Sequence, residues 1–337
     1  MNSLLAVLIT ITSVDFVFNK VIDWLNDRKK SPQLPDEASG IYDQERYSKW
    51  LAYDKANGRV DAISSGISIV LSILLLAFGF FGWLDQVLRT YLINDVALAL
   101  VYFGLLGLGS SIVSLPFSIY QTFVIEEQFG FNRTTVKTFI LDMLKGLLLS
   151  ILIGGLLGGL IVWLYYEFPA QFWWIAWLLV SGFSLFMTMF GASIIMPLFN
   201  TFTPLPDGAL RQAIEEYCRK TNFQVQNLFV IDGSKRSAKS NAFFSGLGPK
   251  KRIALYDTLI NQLSTEEIVA VLAHEIGHYK KKHTLQSLVM SMIQTGVMLY
   301  LVDIFVRYPE VSEALGATQP SFHVGIIAFG IIFSPIS

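Results

Sequence analysis

From Val271 to Tyr279 the chain reads Val-Leu-Ala-His-Glu-Ile-Gly-His-Tyr, and these residues carry the types and the spacing for hydrolytic chemistry at a metal ion. On a helix His274 and His278 are four apart, so both imidazoles leave one face and can grip the same ion. Neutral imidazoles suit Zn²⁺, which in hydrolytic sites takes three protein ligands and keeps its fourth position for water. Glu275 stands beside that open position, where a carboxylate can take a proton from the water as it attacks a carbonyl. The pattern is H-E-x-x-H. A solvated helix whose histidines bind nothing is the bland alternative, and the flanks oppose it. Leu272, Ala273, Ile276, Gly277 and Tyr279 are uncharged, and Glu266 and Glu267 near the helix start complement its dipole.

A third ligand is needed. Downstream, only Asp303, Glu310, Glu313 and His323 carry suitable side chains, and none is set by the pattern to aim back at the histidine pair. His283 is nearer, but five residues after His278 it would point away on a continuing helix. The third ligand is therefore expected beyond Ser337, on a missing continuation of the chain or on a separate C-terminal fragment.

Several elements must position the motif. Ser264 followed three residues later by Glu267 forms a capping box that starts its helix. Upstream, Leu228 to Ile231 and Arg252 to Tyr256 read as short strands flanking a loop with Ser240, Asn241, Gly246 and Gly248. Asp207, after Pro204 and Pro206, is set to cap a helix running through Lys220. Lys280, Lys281 and Lys282 directly follow the motif, and an apolar run begins at Leu285. The lysines read as anchors at a membrane boundary, so the metal must sit within a few turns of a bilayer surface.

That bilayer is written into the composition. Hydrophobic residues make up 53% of the chain and charged residues 15%, with a mean hydropathy of +0.51, which excludes an ordinary soluble domain. A formal net charge of -1 offers no field for nucleic acid. Cys218 is the lone cysteine, so no disulfide forms within the chain. Seven stretches approach the roughly twenty apolar residues a membrane helix needs. They are 3–22, 62–84, 96–123, 139–165, 172–199, 285–305, and one from Phe322 that stops short at Ser337, which reads as truncation. Leu4 to Phe18 lacks the features of a cleaved signal peptide and reads as a retained first span.

Lys and Arg crowd the first, third and fifth connections, which places those connections and the His-Glu motif in the cytosol. Asp15, and the pair Asp142 and Lys145 in the fourth span, carry charge where lipid would penalise it; three residues apart, Asp142 and Lys145 can satisfy each other. Gly154, Gly155, Gly158 and Gly159 read as a close-packing face for a neighbouring helix. The resulting organisation is α-helical and membrane-integral: residues 1–199 form five helices with their loops, 200–283 a small α+β zinc-protease domain, and 284–337 the sixth helix and the start of a seventh.

Taken together, these residues resemble the type I CAAX prenyl proteases, the Ste24 family of integral-membrane zinc metalloproteases. The likeness runs through Glu126-Glu127-Gln128-Phe129-Gly130-Phe131-Asn132, Pro197 to Gly208, Ile231 to Ser237, Ser240 to Phe244, Lys251 to Leu259, and the motif itself. The resemblance implies a seven-helix barrel around a chamber, with Zn²⁺ at its cytosolic end and removal of the C-terminal tripeptide that follows a prenylated cysteine. Residue by residue it makes His274 and His278 ligands, Glu275 the general base, and Asn241 with Ala242 the edge strand that holds the substrate backbone. It also implies that the third ligand is a glutamate on a helix after the seventh span. Partners would be prenylated or membrane-associated peptides and the lipid bilayer, in the endoplasmic reticulum or inner nuclear membrane of a eukaryote or the inner membrane of a bacterium. Two rivals stand beside this reading: a membrane quality-control metalloprotease of broader specificity, and a non-catalytic scaffold with a vestigial site.

Overall fold

The computed structural model describes residues 3–38, 40–223, 227–245 and 252–336. Among the described residues six helices are long and apolar enough to cross a membrane: α1 (Ser3–Lys29), α2 (Gln44–Ala77), then, after a short helix α3 (Phe80–Arg89), α4 (Asp95–Gln128), α5 (Val136–Glu167), α6 (Phe172–Phe199) and, further along, His283–Val306. Between the fifth and sixth of these lie β1 (Phe202–Pro204), α7 (Ala209–Lys220), β2 (Asn227–Ile231), β3 (Ala242–Ser245), β4 (Arg252–Tyr256), α8 (Asp257–Gln262) and α9 (Thr265–Lys280). His283–Val306 is α10, followed by α11 (Pro309–Ala314) and α12 (Phe322–Phe333). At 12 residues α12 is about 18 Å long, well short of a hydrocarbon core of about 30 Å.

The chain divides into two compact units. The first comprises Met1–Phe129, Ile153–Trp173 and Tyr300–Ser337. Its core gathers Leu8, Leu76, Leu84, Leu88, Leu98 and Tyr102 with Leu315, Val324 and Ala328. The second apolar run does not continue to Leu84 as one span. Gly79 takes a left-handed conformation with φ 63°, which a residue without a Cβ adopts without penalty, and the chain restarts there as amphipathic α3. Gly82 of α3 lies directly on the backbone of Gly316, where an added Cβ would fall 2.0 Å from the carbonyl carbon, and its N–H donates to the Leu315 carbonyl at 2.9 Å. One turn on, Asp85 is fully buried. Its carboxylate meets His323 Nε2 at 2.6 Å and Arg89 Nε at 3.0 Å, and it accepts from Ser321 Oγ at 3.1 Å. These contacts tie α12 and the loop before it to α3. Within the same unit, Gly158 and Gly159 of α5 pack on Leu100 of α4, as the small-residue pattern predicts, but Gly154 and Gly155 face open space. Pro116 inside α4 precedes a π-helical turn at Gln121–Ile125, where Gln121 donates to Asn57 at 2.9 Å and Tyr53 bonds Glu126.

The second unit comprises Gly130–Leu152 and Trp174–Leu299. Its sheet has the order β1-β2-β4-β3, with β2 and β4 parallel and the two outer strands antiparallel to their neighbours. Parallel β2 and β4, which read correctly as strands in sequence, sit at its centre; β1 and β3 are the edges. The apolar faces of α7, α8 and α9 cover the sheet through Ile214, Cys218, Leu259, Ile268, Leu272 and Ile276 against Leu228, Ile253 and Leu255. Cys218 is a buried free thiol in this core, and burial pushes it above its ordinary pKa. Asp207 does not cap α7. Gly208 holds the cap position, and the Asp207 carboxylate pairs instead with Arg211 at 3.2 Å.

Asp142 and Lys145 do not satisfy each other. Arg236, 94 residues on in sequence, grips Asp142 with two nitrogens at 2.6 and 2.9 Å and also donates to the Phe199 carbonyl at 2.7 Å, while Lys145 donates to the Leu198 carbonyl at 2.6 Å. A planar guanidinium fork outcompetes a neighbouring ammonium for a carboxylate it can meet in two places. The Asp142 carboxylate in turn holds the Arg236 guanidinium above its ordinary pKa. The Arg236 backbone carbonyl accepts from Arg133 N and Thr134 Oγ1, both at 3.0 Å.

Candidate metal centre

Helix α9 begins as its capping box dictates. Ser264 Oγ accepts from Glu267 N at 3.3 Å, and the Glu267 carboxylate accepts from Ser264 N at 2.8 Å. Ile268, Leu272 and Ile276 form the buried stripe that fixes its rotation. His274 lies two residues past Leu272, about 200° around the helix, so core packing turns it outward. His278 follows four residues later, and both imidazoles are exposed while Glu275 is half-buried.

The two rings converge. His274 Nε2 and His278 Nε2 stand 3.0 Å apart with ring centroids at 4.6 Å. Two nitrogens bound to one tetrahedral zinc at about 2.0–2.1 Å would lie about 3.3–3.4 Å apart, so a small opening of the pair admits the ion. The donor set therefore fits zinc through Nε2 on both residues. Among the described residues no group of three or more His, Cys, Asp or Glu is placed to hold a metal ion. Asp303 is paired with Arg307, with 3.0 Å between Oδ1 and Nε, and His323 is buried on Asp85.

His283 departs from the sequence reading. Helix α9 stops at Lys280, Lys281 closes its last turn, and Lys282 adopts a left-handed conformation with φ 57° before α10 begins. That break turns His283 back, and its Nδ1 lies 2.9 Å from Nδ1 of His278. Three lysines in a row are good helix formers, and the usual sign of a helix end, a glycine or asparagine after the last turn, is missing. The Lys280 ammonium donates to the Thr221 carbonyl.

The elements beside the helix are held by side chain to backbone bonds. Asp257 accepts from Ser234 N at 2.8 Å, from Thr258 N at 2.8 Å and from Ser234 Oγ, fixing the turn after β2. Gly233 in that turn lies under the Tyr256 ring, where an added Cβ would come within 2.4 Å of Cδ2. The Asn241 carbonyl accepts from Tyr256 N at 3.0 Å, and Asn241 Oδ1 accepts from Ala242 N at 2.9 Å. Ala242 then opens β3, which pairs with β4 on one side and ends the described sheet on the other. Helix α9 packs against this edge strand. Gly246, Gly248 and Lys251, which the sequence places in the neighbouring loop and strand, lie outside the described residues.

With this geometry in place, comparison with known proteins gives a consistent picture. Residues 24–201 match the family described as CAAX prenyl protease N-terminal, five membrane helices, and residues 204–334 match peptidase family M48. CAAX prenyl protease 1 of Saccharomyces cerevisiae is 38% identical over 303 residues, which cover 87% of this chain and 66% of that protein. The CAAX prenyl protease 1 homolog of Oryza sativa is 33% identical over 330 residues, covering 95% of this chain and 78% of its own. The crystal structure of Ste24p from S. mikatae superposes with a TM-score of 0.93 at 32% identity, covering all of this chain and 83% of that one. The chain thus spans about two thirds of the length of the yeast relative.

Proposed function

The chain belongs to peptidase family M48, with the N-terminal membrane domain of the CAAX prenyl proteases, and from that premise we propose that it is a zinc endopeptidase of the membrane that cleaves prenylated proteins near their C-termini. Family membership and the six apolar helices among the described residues make it an integral membrane metallopeptidase; the metal, the residue roles and the substrate are the proposal. The observation that carries it is the convergence of His274 Nε2 and His278 Nε2 to 3.0 Å, with Glu275 next in the chain.

His274 and His278 would hold the metal, with the open positions left for a further ligand and water. When bound, zinc polarises the scissile carbonyl and acidifies its water. Glu275 takes a proton from the attacking water and passes it to the leaving amine. Asn241 and Ala242 would receive the substrate: the edge of β3, outermost in the described sheet, would offer main-chain donors and acceptors to an extended peptide, which adds as a further strand beside the motif helix. The domain at 200–283 would face the cytosol, and α12 would belong to the seventh membrane helix. The names of the relatives support a prenylated substrate.

The test is Glu275→Gln in the detergent-solubilised protein. It should retain zinc and lose cleavage of a farnesylated peptide, by roughly 10²–10⁴-fold for loss of the general base. Retained activity would reject the assignment. Comparing the farnesylated peptide with its unprenylated twin tests the substrate, and equal turnover would favour a broad-specificity protease.

A further inference from the structure

We infer that His283 is a positioning residue of the metal centre, holding the His278 imidazole by its Nδ1 edge so that Nε2 is presented to the ion; this rests on the zinc reading above. An imidazole has two nitrogens on opposite sides, and a neutral ring that gives one lone pair to a metal carries its proton on the other. His278 uses Nε2 toward His274 at 3.0 Å, which leaves Nδ1–H needing an acceptor. His283 Nδ1 stands 2.9 Å from it, with the two rings at 76°. The tautomers are mutually consistent: His278 donates from Nδ1, and His283 accepts at Nδ1 and keeps its own proton on Nε2. A ring fixed this way loses its freedom to rotate, and its remaining lone pair is committed to one direction. Metal-ligating histidines need such a partner, and losing it costs about 10–100-fold in metal affinity.

The backbone is built to make the contact. On an uninterrupted helix the fifth residue after His278 would lie about 140° away around the axis. Instead Lys281 N closes on the Gly277 carbonyl at 3.0 Å, Lys282 N on the Tyr279 carbonyl at 2.9 Å, and the Lys282 carbonyl opens α10 by accepting from Gln286 N at 2.9 Å. Lys282 with φ 57° occupies a region that few side chains other than Asn and Asp adopt. The two-residue link reverses the drift of the helix and delivers His283 to the ring edge that zinc does not use. This placement seats His283 at the Nδ1 edge of His278, across the ring from the Nε2 that faces His274.

The test is zinc affinity of the full-length, detergent-solubilised protein, measured by competition with a chromogenic chelator. His283→Phe fills the space without accepting a bond, and it should weaken zinc 10–100-fold while leaving the unfolding midpoint of the metal-free protein unchanged. His283→Asn, which keeps an acceptor oxygen, should recover part of the loss. Lys282→Val, a β-branched residue forced into a left-handed conformation, should reproduce the loss, whereas Lys282→Gly should not. Zinc affinity of His283→Phe within twofold of wild type, alongside loss of binding in His274→Ala, would overturn the inference and leave the metal site standing. Unchanged binding in His274→Ala would instead reject the metal reading, and the inference with it.

Discussion

Replacing Asp85 by Asn keeps the shape of the side chain and removes its charge from the most enclosed polar cluster in the first unit. The carboxylate is fully buried and accepts from Ser321 Oγ, meets His323 Nε2 at 2.6 Å and pairs with Arg89, whose side chain is 21% exposed. An Asn carbonyl oxygen can still face His323 and Ser321, but its amide then turns N–H toward the Arg89 guanidinium, donor against donor. Breaking a buried pair by removing one partner costs about 3–5 kcal/mol. Because Arg89 keeps Asp95 at 3.7 Å and Ser321 Oγ at 2.6 Å, the loss should fall at the low end, about 3 kcal/mol. For a cooperative unit of this size each kcal/mol shifts the midpoint by about 2–4 °C, so the drop should be on the order of 10 °C in detergent-solubilised protein. The charge also has a pH signature. Burial pushes the Asp85 carboxyl up, but the hydrogen bonds from His323 and Arg89 outweigh it and hold the group below its ordinary value. A depressed carboxyl stabilises the fold above its unfolded pKa of about 3.9 and loses that contribution as pH falls further. Wild type should therefore show an acid-dependent loss below about pH 4 that Asp85→Asn lacks. A midpoint within 2 °C of wild type (a tolerance of about 1 kcal/mol), with an unaltered acid limb, would refute the argument.

Two further changes probe the second unit. Gly233→Ala places a methyl 2.4 Å from Tyr256 Cδ2 and should cost about 1–3 kcal/mol in denaturant unfolding as an overpacked contact, with Tyr256→Leu in the same chain relieving most of it. Arg236→Lys keeps the charge but cannot meet Asp142 at two points and reach the Phe199 carbonyl as well. Both partners of that ion pair are about a quarter exposed, so the loss should be about 1–2 kcal/mol, and a double-mutant cycle with Asp142→Asn should show positive coupling.

The readable parts of this protein are those set by neighbours in sequence. The capping box at Ser264 and Glu267 is local, and it forms. The i, i+4 spacing of His274 and His278 is local, and the rings meet. The long apolar runs give their helices for the same reason. What fails is decided elsewhere in the chain. Asp142 has a cation three residues away, yet its partner is Arg236, and no spacing rule sees across 94 residues. The span read through Leu84 breaks at Gly79 because α3 must turn to meet Gly316, a contact made by the far end of the chain. Strand β3 is short and lies at an edge, in a stretch whose residues read as a loop, and only resemblance to the family marks Asn241 and Ala242 as an edge strand. His283 escapes the spacing rule because the helix does not continue through the three lysines: Lys282 bends where a glycine would have announced it.

The link between α9 and α10 is two residues long, and α10 is itself long enough to span a bilayer. Two residues reach at most about 7 Å, which ties the histidine pair to the mouth of a membrane helix as if on a short leash. On the proposed function, a peptide moored in the same bilayer by a greasy tail would meet that pair by an intramolecular-like search, at an effective concentration in the millimolar range for a short flexible tether. A peptide without the tail must come from bulk solution. Lengthening the tether between tail and scissile bond should then lower turnover even when every contact at the cut site is preserved.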